Sequence, residues 1–361
     1  MKMGANPLPI GHSPDSWRPD EMTAPESPVQ LRTYGVRGRR SAIVGLGAHV
    51  PPRIVSNDEL VAMGVSTSDQ WIVERTGIRA RRIADPGTPS FALGAKAAAQ
   101  ALESAGVRPD EIDVLVVSTT SPDSPMPSMA CRIQNLLGAH GACAYDLLGA
   151  CSGFLYALSV ADAYVACGAA DTVLAVGAEV MSRMIDWQER HVSVLFADGA
   201  GAAIVRAAPP GAGFTSWCLG SDGRGYDKVT VGDVETGPYA TCEAAPKIDM
   251  KGPEVFRFGI DMFVRQAEAL TAAAGTRVSD VDVWVPHQAN RRLIEAAARR
   301  LAIPLERVVV NVDRYGNTCS ASIPLALKEA VDEGRISSGD QVLMVAFGSG
   351  LTWASCLHTW P

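Results

Sequence analysis

The sequence predicts an α/β fold built from two related halves, with layered sheets and helices packed on their faces in an αβαβα arrangement. Three observations carry that prediction. Apolar strands alternate with helical segments from residue 41 onward, one register relates the two parts of the chain, and 361 residues with 47% apolar content suffice for a large core.

The register is the strongest of the three. Asp113-Val114-Leu115-Val116-Val117 is matched by Asp282-Val283-Trp284-Val285-Pro286, 169 positions later. The same offset carries Ala105-Gly106 to Ala274-Gly275, Ala157-Leu158 to Ala326-Leu327, Asp171 to Asp340, and Val173-Leu174-Ala175-Val176 to Val342-Leu343-Met344-Val345. A constant register across a whole helix–strand–loop–helix–strand stretch marks two copies of one unit, related by a pseudo-two-fold.

Taken in order, the chain opens with Pro7, Pro9, Pro14, Pro19, Pro25 and Pro28 scattered among polar positions without a hydrophobic period. Residues 1–39 therefore read as a poorly ordered extension. Structured sequence begins at Ser41-Ala42-Ile43-Val44-Gly45-Leu46-Gly47, a strand running into a glycine turn. Residues 40–210 form the first half and 211–361 the second. In the first half Phe154, Leu155, Leu158, Ala161 and Val165 recur at helical spacing until Gly168 ends the run.

Composition excludes several classes of function. A net charge of −7 and a pI near 5.4 leave no basic stripe for nucleic acid. The eight cysteines show no CxxC or Cys/His ligand spacing, and a chain this rich in core needs no disulfide staples, so reduced thiols and a cytoplasmic location are expected. Neither an apolar leader nor a stretch approaching eighteen consecutive apolar residues is present, which argues against secretion and membrane spanning.

The chemistry-bearing residues fall at matched places in the two copies. Cys151, in Gly149-Ala150-Cys151-Ser152-Gly153-Phe154, stands at a strand-to-helix junction, where the dipole and free N–H groups of a helix start lower a thiol pKa. His287, in Val285-Pro286-His287-Gln288, follows a strand of the second half, and Asn317, in Tyr315-Gly316-Asn317-Thr318, precedes the helix equivalent to the one after Cys151. Singly, these are a small buried hydrophobe, a structural histidine and a turn asparagine. Their ordered occurrence in a repeated scaffold instead brings a nucleophile and two oxyanion donors together between the copies.

With these motifs the chain resembles the beta-ketoacyl-acyl-carrier-protein synthase III family of condensing enzymes, in the thiolase superfamily, over about residues 40–360. The resemblance implies a thiolase-like fold and an acyltransferase. In it Cys151 accepts a primer acyl group from acyl-coenzyme A, while His287 and Asn317 assist decarboxylation of a malonyl thioester, malonyl-acyl carrier protein being the expected extender. An enolate oxygen needs donors already in place, and each is worth about 2.7–4 kcal/mol of barrier. The Cys151 amide and one from Phe347-Gly348-Ser349-Gly350, assigned to Ser349, make a second oxyanion pocket, with Ser349 standing where many relatives have glycine.

The same resemblance puts Trp71, Arg75 and Arg190 on coenzyme A, with an indole and a guanidinium able to sandwich an adenine. It puts Arg257, Arg292 and Arg299 at a carrier-protein docking face, and Met126, Phe196 and Met181 on the acyl pocket, Met126 reaching across a homodimer to its partner's pocket. Methionine there favours primers beyond acetyl. Cofactors are expected to be none, with coenzyme A thioesters as substrates. Cys356 and Cys319 read as packing residues. Two other readings remain: an acyltransferase that esterifies a natural-product hydroxyl or amine without condensation, and a non-catalytic ketosynthase partner. Retention of Asn317 opposes the first and Cys151 opposes the second.

Overall fold

The chain builds two five-stranded sheets that share a four-strand internal order, one from each half, the second completed by a strand from the N-terminal part. The computed structural model describes residues 29–36, 38–232 and 247–361. In chain order the first part holds strands β1 (Thr33–Gly35), β2 (Ser41–His49), β3 (Ile54–Ser56), β4 (Ala80–Arg82), β5 (Val114–Ser118), β6 (Cys143–Leu147), β7 (Val173–Val180) and β8 (Asp198–Ala207). Its helices are α1 (Asn57–Ala62), α2 (Asp69–Thr76), α3 (Ser90–Ala105), α4 (Met129–Leu137), α5 (Gly153–Ala166) and α6 (Arg190–Ser193). The second part holds β9 (Gly213–Ser221), β10 (Val229–Val231), β11 (Ile248–Met250), β12 (Val283–Pro286), β13 (Gln341–Gly348) and β14 (Thr352–Thr359). Between these strands run α7 (Gly252–Ala273), α8 (Arg291–Arg300), α9 (Val312–Tyr315) and α10 (Ser322–Asp332).

The first sheet runs β2-β8-β7-β5-β6 and the second β1-β9-β14-β13-β12. In each, a parallel pair (β5 with β7, β12 with β13) is followed by an antiparallel one (β7 with β8, β13 with β14). The repeat read from sequence holds at the level of single residues. Val114 and Val283 both open their strands, and Gly153 and Ser322 both open their helices. The 3-10 turns Pro109–Glu111 and Ala150–Ser152 have counterparts at Val278–Asp280 and Cys319–Ala321, each 169 positions on.

Strand β5 is buried along its whole length because both its faces are covered. Successive side chains of a strand point to opposite faces. Val114 and Val116 accordingly enter a central layer with Phe154 and Leu158 of α5 and Ile323 and Leu327 of α10. Leu115 and Val117 enter an outer layer with Leu93 and Leu102 of α3 and Ile133 of α4. On the far side, α7 lies over β13 and β14 and against α8. The result is the expected order of five layers, with α5 and α10 between the two sheets.

One expectation about the extension is corrected. Most of it, residues 1–28, lies outside the described residues. Thr33–Gly35 nevertheless forms β1, an edge strand antiparallel to β9 of the second sheet. Three residues beside a proline-rich run carry no readable period; main-chain bonding to a free sheet edge recruits them.

Candidate active site

Strand β6 delivers the chain to a sharp elbow. Ala150 takes a left-handed φ of 46°, and a 3-10 turn over Ala150–Ser152 feeds α5. Cys151 therefore sits in this turn, just ahead of the helix, rather than in the first helical turn that the sequence predicts. The reversal at Ala150 leaves no room for helical geometry there, and the Gly153 N–H bonds back to the Ala150 carbonyl. The thiol still faces the N-terminal end of α5.

The second half supplies the other two groups. His287 directly follows β12, and its N–H donates to the Val345 carbonyl at 2.7 Å, so the strand pairing continues into it. Its Nδ1 lies 2.6 Å from the Ser322 hydroxyl, at the start of α10. That hydroxyl accepts from the Gln288 N–H at 3.4 Å, which leaves its own proton able to go to the ring. A neutral imidazole that accepts at Nδ1 carries its hydrogen on Nε2, and a charged one carries it there as well, so Nε2 is a donor in both states.

Asn317 is pinned by its main chain, which exchanges 2.9 Å bonds with the Leu195 carbonyl and the Ala197 N–H on either side of Phe196. Its Oδ1 accepts from the Cys319 N–H at 2.9 Å. With the oxygen engaged, the amide nitrogen is the end of the side chain left to donate.

Cys151, His287 and Asn317 all border one cavity of about 730 Å³. His287 and Asn317 are buried, so this is its inner end. At its exposed end stand Arg75, Arg257 and Arg292, none of which has an ion-pair partner among the described residues. Trp71 also borders it, and the Arg190 guanidinium lies 4.6 Å from the indole centroid. The two groups are thus brought together, and at that distance they cover each other. Arg299 does not border the cavity; it is exposed on α8, 3.9 Å from Glu295.

Phe196 borders the cavity, and Met181 is buried beside it in an apolar cluster against which Cys151 packs. Met126 is 83% exposed and takes no part in this chain's own cavity. Gly348 lies directly against the elbow: a Cβ on it would fall 2.8 Å from the Cys151 nitrogen. The next residue, Ser349, gives its hydroxyl to the Val229 carbonyl at 2.5 Å, and it is Gly348, not Ser349, that borders the cavity.

Cys356 is fully buried in the central layer, as a packing residue would be. Cys319 is not only that. Its Sγ lies 3.5 Å from the Sγ of Cys151, and it heads the 3-10 turn that pairs with the nucleophile's own. The hydrogen bond between the two sulfurs holds the Cys151 thiol well below the usual range; burial opposes this, and the neighbouring His287 imidazole adds to it. Cys319 itself is pushed well above its usual range by Cys151 and by burial. Ionisation is thus favoured at Cys151 and opposed at Cys319. Cys319 does pack in the apolar cluster as read, but its second contact could not be read because the partner is 168 residues away in sequence. The repeat held the missing signal: Cys319 is the counterpart of Ala150, the residue before Cys151.

Two further residues escaped the sequence reading. Ser322, which orients His287, is the counterpart of Gly153 and reads as an ordinary helix start. Glu179, fully buried at the end of β7, accepts from Thr120 N at 3.0 Å, Ser121 Oγ at 2.7 Å and Ser320 Oγ at 2.6 Å, tying the second elbow to the first sheet. Burial raises its pKa.

Comparison with known proteins places these features in one family. Residues 145–223 match the model for 3-oxoacyl-[acyl-carrier-protein (ACP)] synthase III, and residues 271–360 match that for its C-terminal part. The chain is 47% identical to beta-ketoacyl-[acyl-carrier-protein] synthase III of Sinorhizobium medicae, over 89% of this chain and 99% of the relative. Against the same enzyme of Symbiobacterium thermophilum the identity is 44%, over 89% and 98%. Among solved structures, beta-ketoacyl-[acyl carrier protein] synthase III from Thermus thermophilus superposes with a TM-score of 0.83 at 45% identity, covering 89% of this chain and 99% of that one. The priming beta-ketosynthase of the R1128 polyketide pathway superposes with a TM-score of 0.83 at 39% identity, covering 90% and 98%. The chain belongs to the beta-ketoacyl-acyl-carrier-protein synthase III family, and its fold is thiolase-like.

Proposed function

We propose that this member of the synthase III family loads an acyl group from acyl-coenzyme A onto Cys151 and condenses it with a malonyl group on acyl carrier protein. Carbon dioxide is lost and a 3-oxoacyl-acyl carrier protein is released. The observation that carries this reading is the convergence of Cys151, His287 and Asn317 at the buried end of one cavity whose open end is basic.

In the first step the Cys151 thiolate adds to the thioester carbonyl. The oxyanion is received by the Cys151 amide together with one from the Gly348-Ser349 turn, and coenzyme A leaves as its thiolate. In the second step the malonyl carboxylate departs as carbon dioxide, and negative charge gathers on the thioester oxygen. His287 Nε2–H and the Asn317 amide are positioned to donate to it. The carbanion carbon attacks the acyl carbonyl on Cys151, and the sulfur leaves as the stabilised thiolate it was at the start. Every step runs on the protein's own side chains and main-chain amides, without metal or redox cofactor.

Arg75, Arg257 and Arg292 suit phosphates and an acidic carrier protein, since local positive charge steers an anionic partner onto a protein of net charge −7. Trp71 and Arg190 suit an adenine once parted. The exposed Met126 suits a homodimer in which it closes the partner's acyl pocket. The cysteines among the described residues are free thiols, which fits the reducing cytoplasm, and no helix among those residues is long and apolar enough to cross a membrane.

The test is intact-mass measurement of the wild type and Cys151→Ala after incubation with a panel of acyl-coenzyme A thioesters, before and after malonyl-acyl carrier protein is added. Wild type alone should gain the acyl mass and lose it as a 3-oxoacyl product. An adduct that passes unchanged to an alcohol or amine would make the protein a simple acyltransferase, and no adduct with any primer would remove Cys151 as the nucleophile.

A further inference from the structure

The structure sets a second thiol against the nucleophile, and we propose that Cys151 and Cys319 form a reversible disulfide when a hydroperoxide enters the cavity, shutting off acyl loading until a thiol reductant reopens the site. The loss of loading rests on Cys151 being the acyl acceptor; the bond itself does not.

Geometry carries the proposal. The two Sγ atoms are 3.5 Å apart, and a disulfide needs about 2.05 Å, so the sulfurs close the gap by roughly 1.5 Å, a side-chain torsion's reach. The thiols sit on two adjacent 3-10 turns, Ala150–Ser152 and Cys319–Ala321, that pack on each other from the two halves of the fold. Access differs between them. Cys151 borders the cavity and is partly exposed, whereas Cys319 is 2% exposed behind it. A peroxide therefore meets Cys151 first, and Cys319 is placed to resolve what forms there.

The chemistry balances without a further reactant. The Cys151 thiolate attacks one oxygen of the hydroperoxide, the O–O bond breaks, and the alkoxide or hydroxide leaves with a proton from solvent. Cys151 becomes a sulfenic acid, oxidised by two electrons, and the peroxide is reduced to an alcohol or water. The Cys319 sulfur then attacks the Cys151 Sγ, and the departing hydroxide takes the Cys319 proton as water. The environment of the pair suits both steps, since ionisation is favoured at the outer sulfur, which attacks the peroxide, and opposed at the inner one, whose proton the leaving group takes. Thr120 Oγ1, 3.5 Å from the Cys319 Sγ, is the other polar group touching that sulfur.

The full-length protein is treated with hydrogen peroxide and digested without reduction, and its acyl loading is measured in parallel, each variant normalised to its own untreated value. Wild type should yield a peptide joining residues 151 and 319, lighter by two hydrogens than the separate thiols. It should also recover more than about nine-tenths of its lost loading with dithiothreitol. Cys319→Ser should give no such peptide, should be trapped by dimedone at Cys151, and on longer exposure should take up further oxygens and recover less than about one-tenth. The proposal is overturned if wild type passes to the sulfinic acid as fast as Cys319→Ser, or if Cys151 joins a different cysteine. Because the peptide map of wild type decides the bond alone, a folding defect in the variant does not blunt the test. A cross-linked peptide from a protein that never loads an acyl group would instead sink the functional reading and leave the disulfide standing.

Discussion

The two 3-10 elbows of this fold have the same backbone and opposite chemical duties. Ala150 and Cys319 are counterparts in the repeat, and both adopt a left-handed φ, 46° and 51°. Behind the first elbow, Gly153 opens α5 against Ser118 at the end of β5, whose hydroxyl is buried with no hydrogen-bond partner among the described residues. Behind the second, Ser322 opens α10 against His287 at the end of β12, and the two side chains hydrogen-bond at 2.6 Å. One copy keeps the nucleophile and clears the space behind it. The other fills the equivalent space with a donor and its support. Duplication of a stable unit gives two equivalent strand ends at one pseudo-two-fold, and the division of labour between them turns two similar surfaces into one site.

The sharpest way to break the comparison is to remove the second half's donor and ask whether the first half still works. Asn317→Ala should cut condensation about 10²–10³-fold, the usual cost of an oxyanion donor, while acyl loading on Cys151 changes by less than about threefold. Stopped-flow or quenched assays that time loading and condensation separately would read this; an equal loss in both steps would mean that the halves do not divide the reaction.

A smaller effect tests whether the first half must stay clear. A Cβ added at Gly153 would fall 1.9 Å from the Ser118 hydroxyl oxygen and 3.1 Å from its Cβ. Gly153→Ala should therefore lower unfolding free energy by about 1–3 kcal/mol, and Ser118→Ala in the same background should return most of it, because the closest contact is then gone. Denaturant melts of the four proteins of that cycle would settle it, and strict additivity would show that the two positions do not meet.

The comparison also explains which parts of the molecule could be read in advance. The halves, the five layers and the three polar groups follow from a register that survives in apolar strands such as Val114–Ser118, where burial on both faces dictates residue type. What the register could not convey is contact between the copies. Cys319 looks like a routine helix-start residue, and its partner at 151 becomes a neighbour only when the two sheets share a helical layer; Ser322 meets His287 within its own copy, where the equivalent place in the first copy holds a glycine and gives no hint of the contact. Strand β1 was hidden for a related reason: it extends one sheet without a counterpart in the other, so no repeat announces it.

Ser322 provides the next test. Without its hydroxyl the neutral His287 ring is free to hold its hydrogen on Nδ1, and the Nε2 donor is lost from part of the population. Ser322→Ala should slow condensation about tenfold, worth ~1.4 kcal/mol, and Ser322→Thr should restore part of it. An unchanged rate would show that the ring is oriented by its main chain alone, through the 2.7 Å bond of its N–H to Val345.

The mildest change crosses the two elbows directly. The hydrogen bond with Cys319 lowers the Cys151 pKa, so removing that partner raises it, and the pH at which Cys151 becomes half-reactive toward iodoacetamide moves up. Cys319→Ala should shift that midpoint upward by about one pH unit, and Cys319→Ser, which keeps a donor, by less. Alanine at this position already has a precedent inside the molecule, because Ala150 holds the same left-handed turn in the other half. Backbone strain is thus matched between wild type and variant, and a midpoint that stays in place would assign the low pKa to His287 and the start of α5 instead of the second elbow.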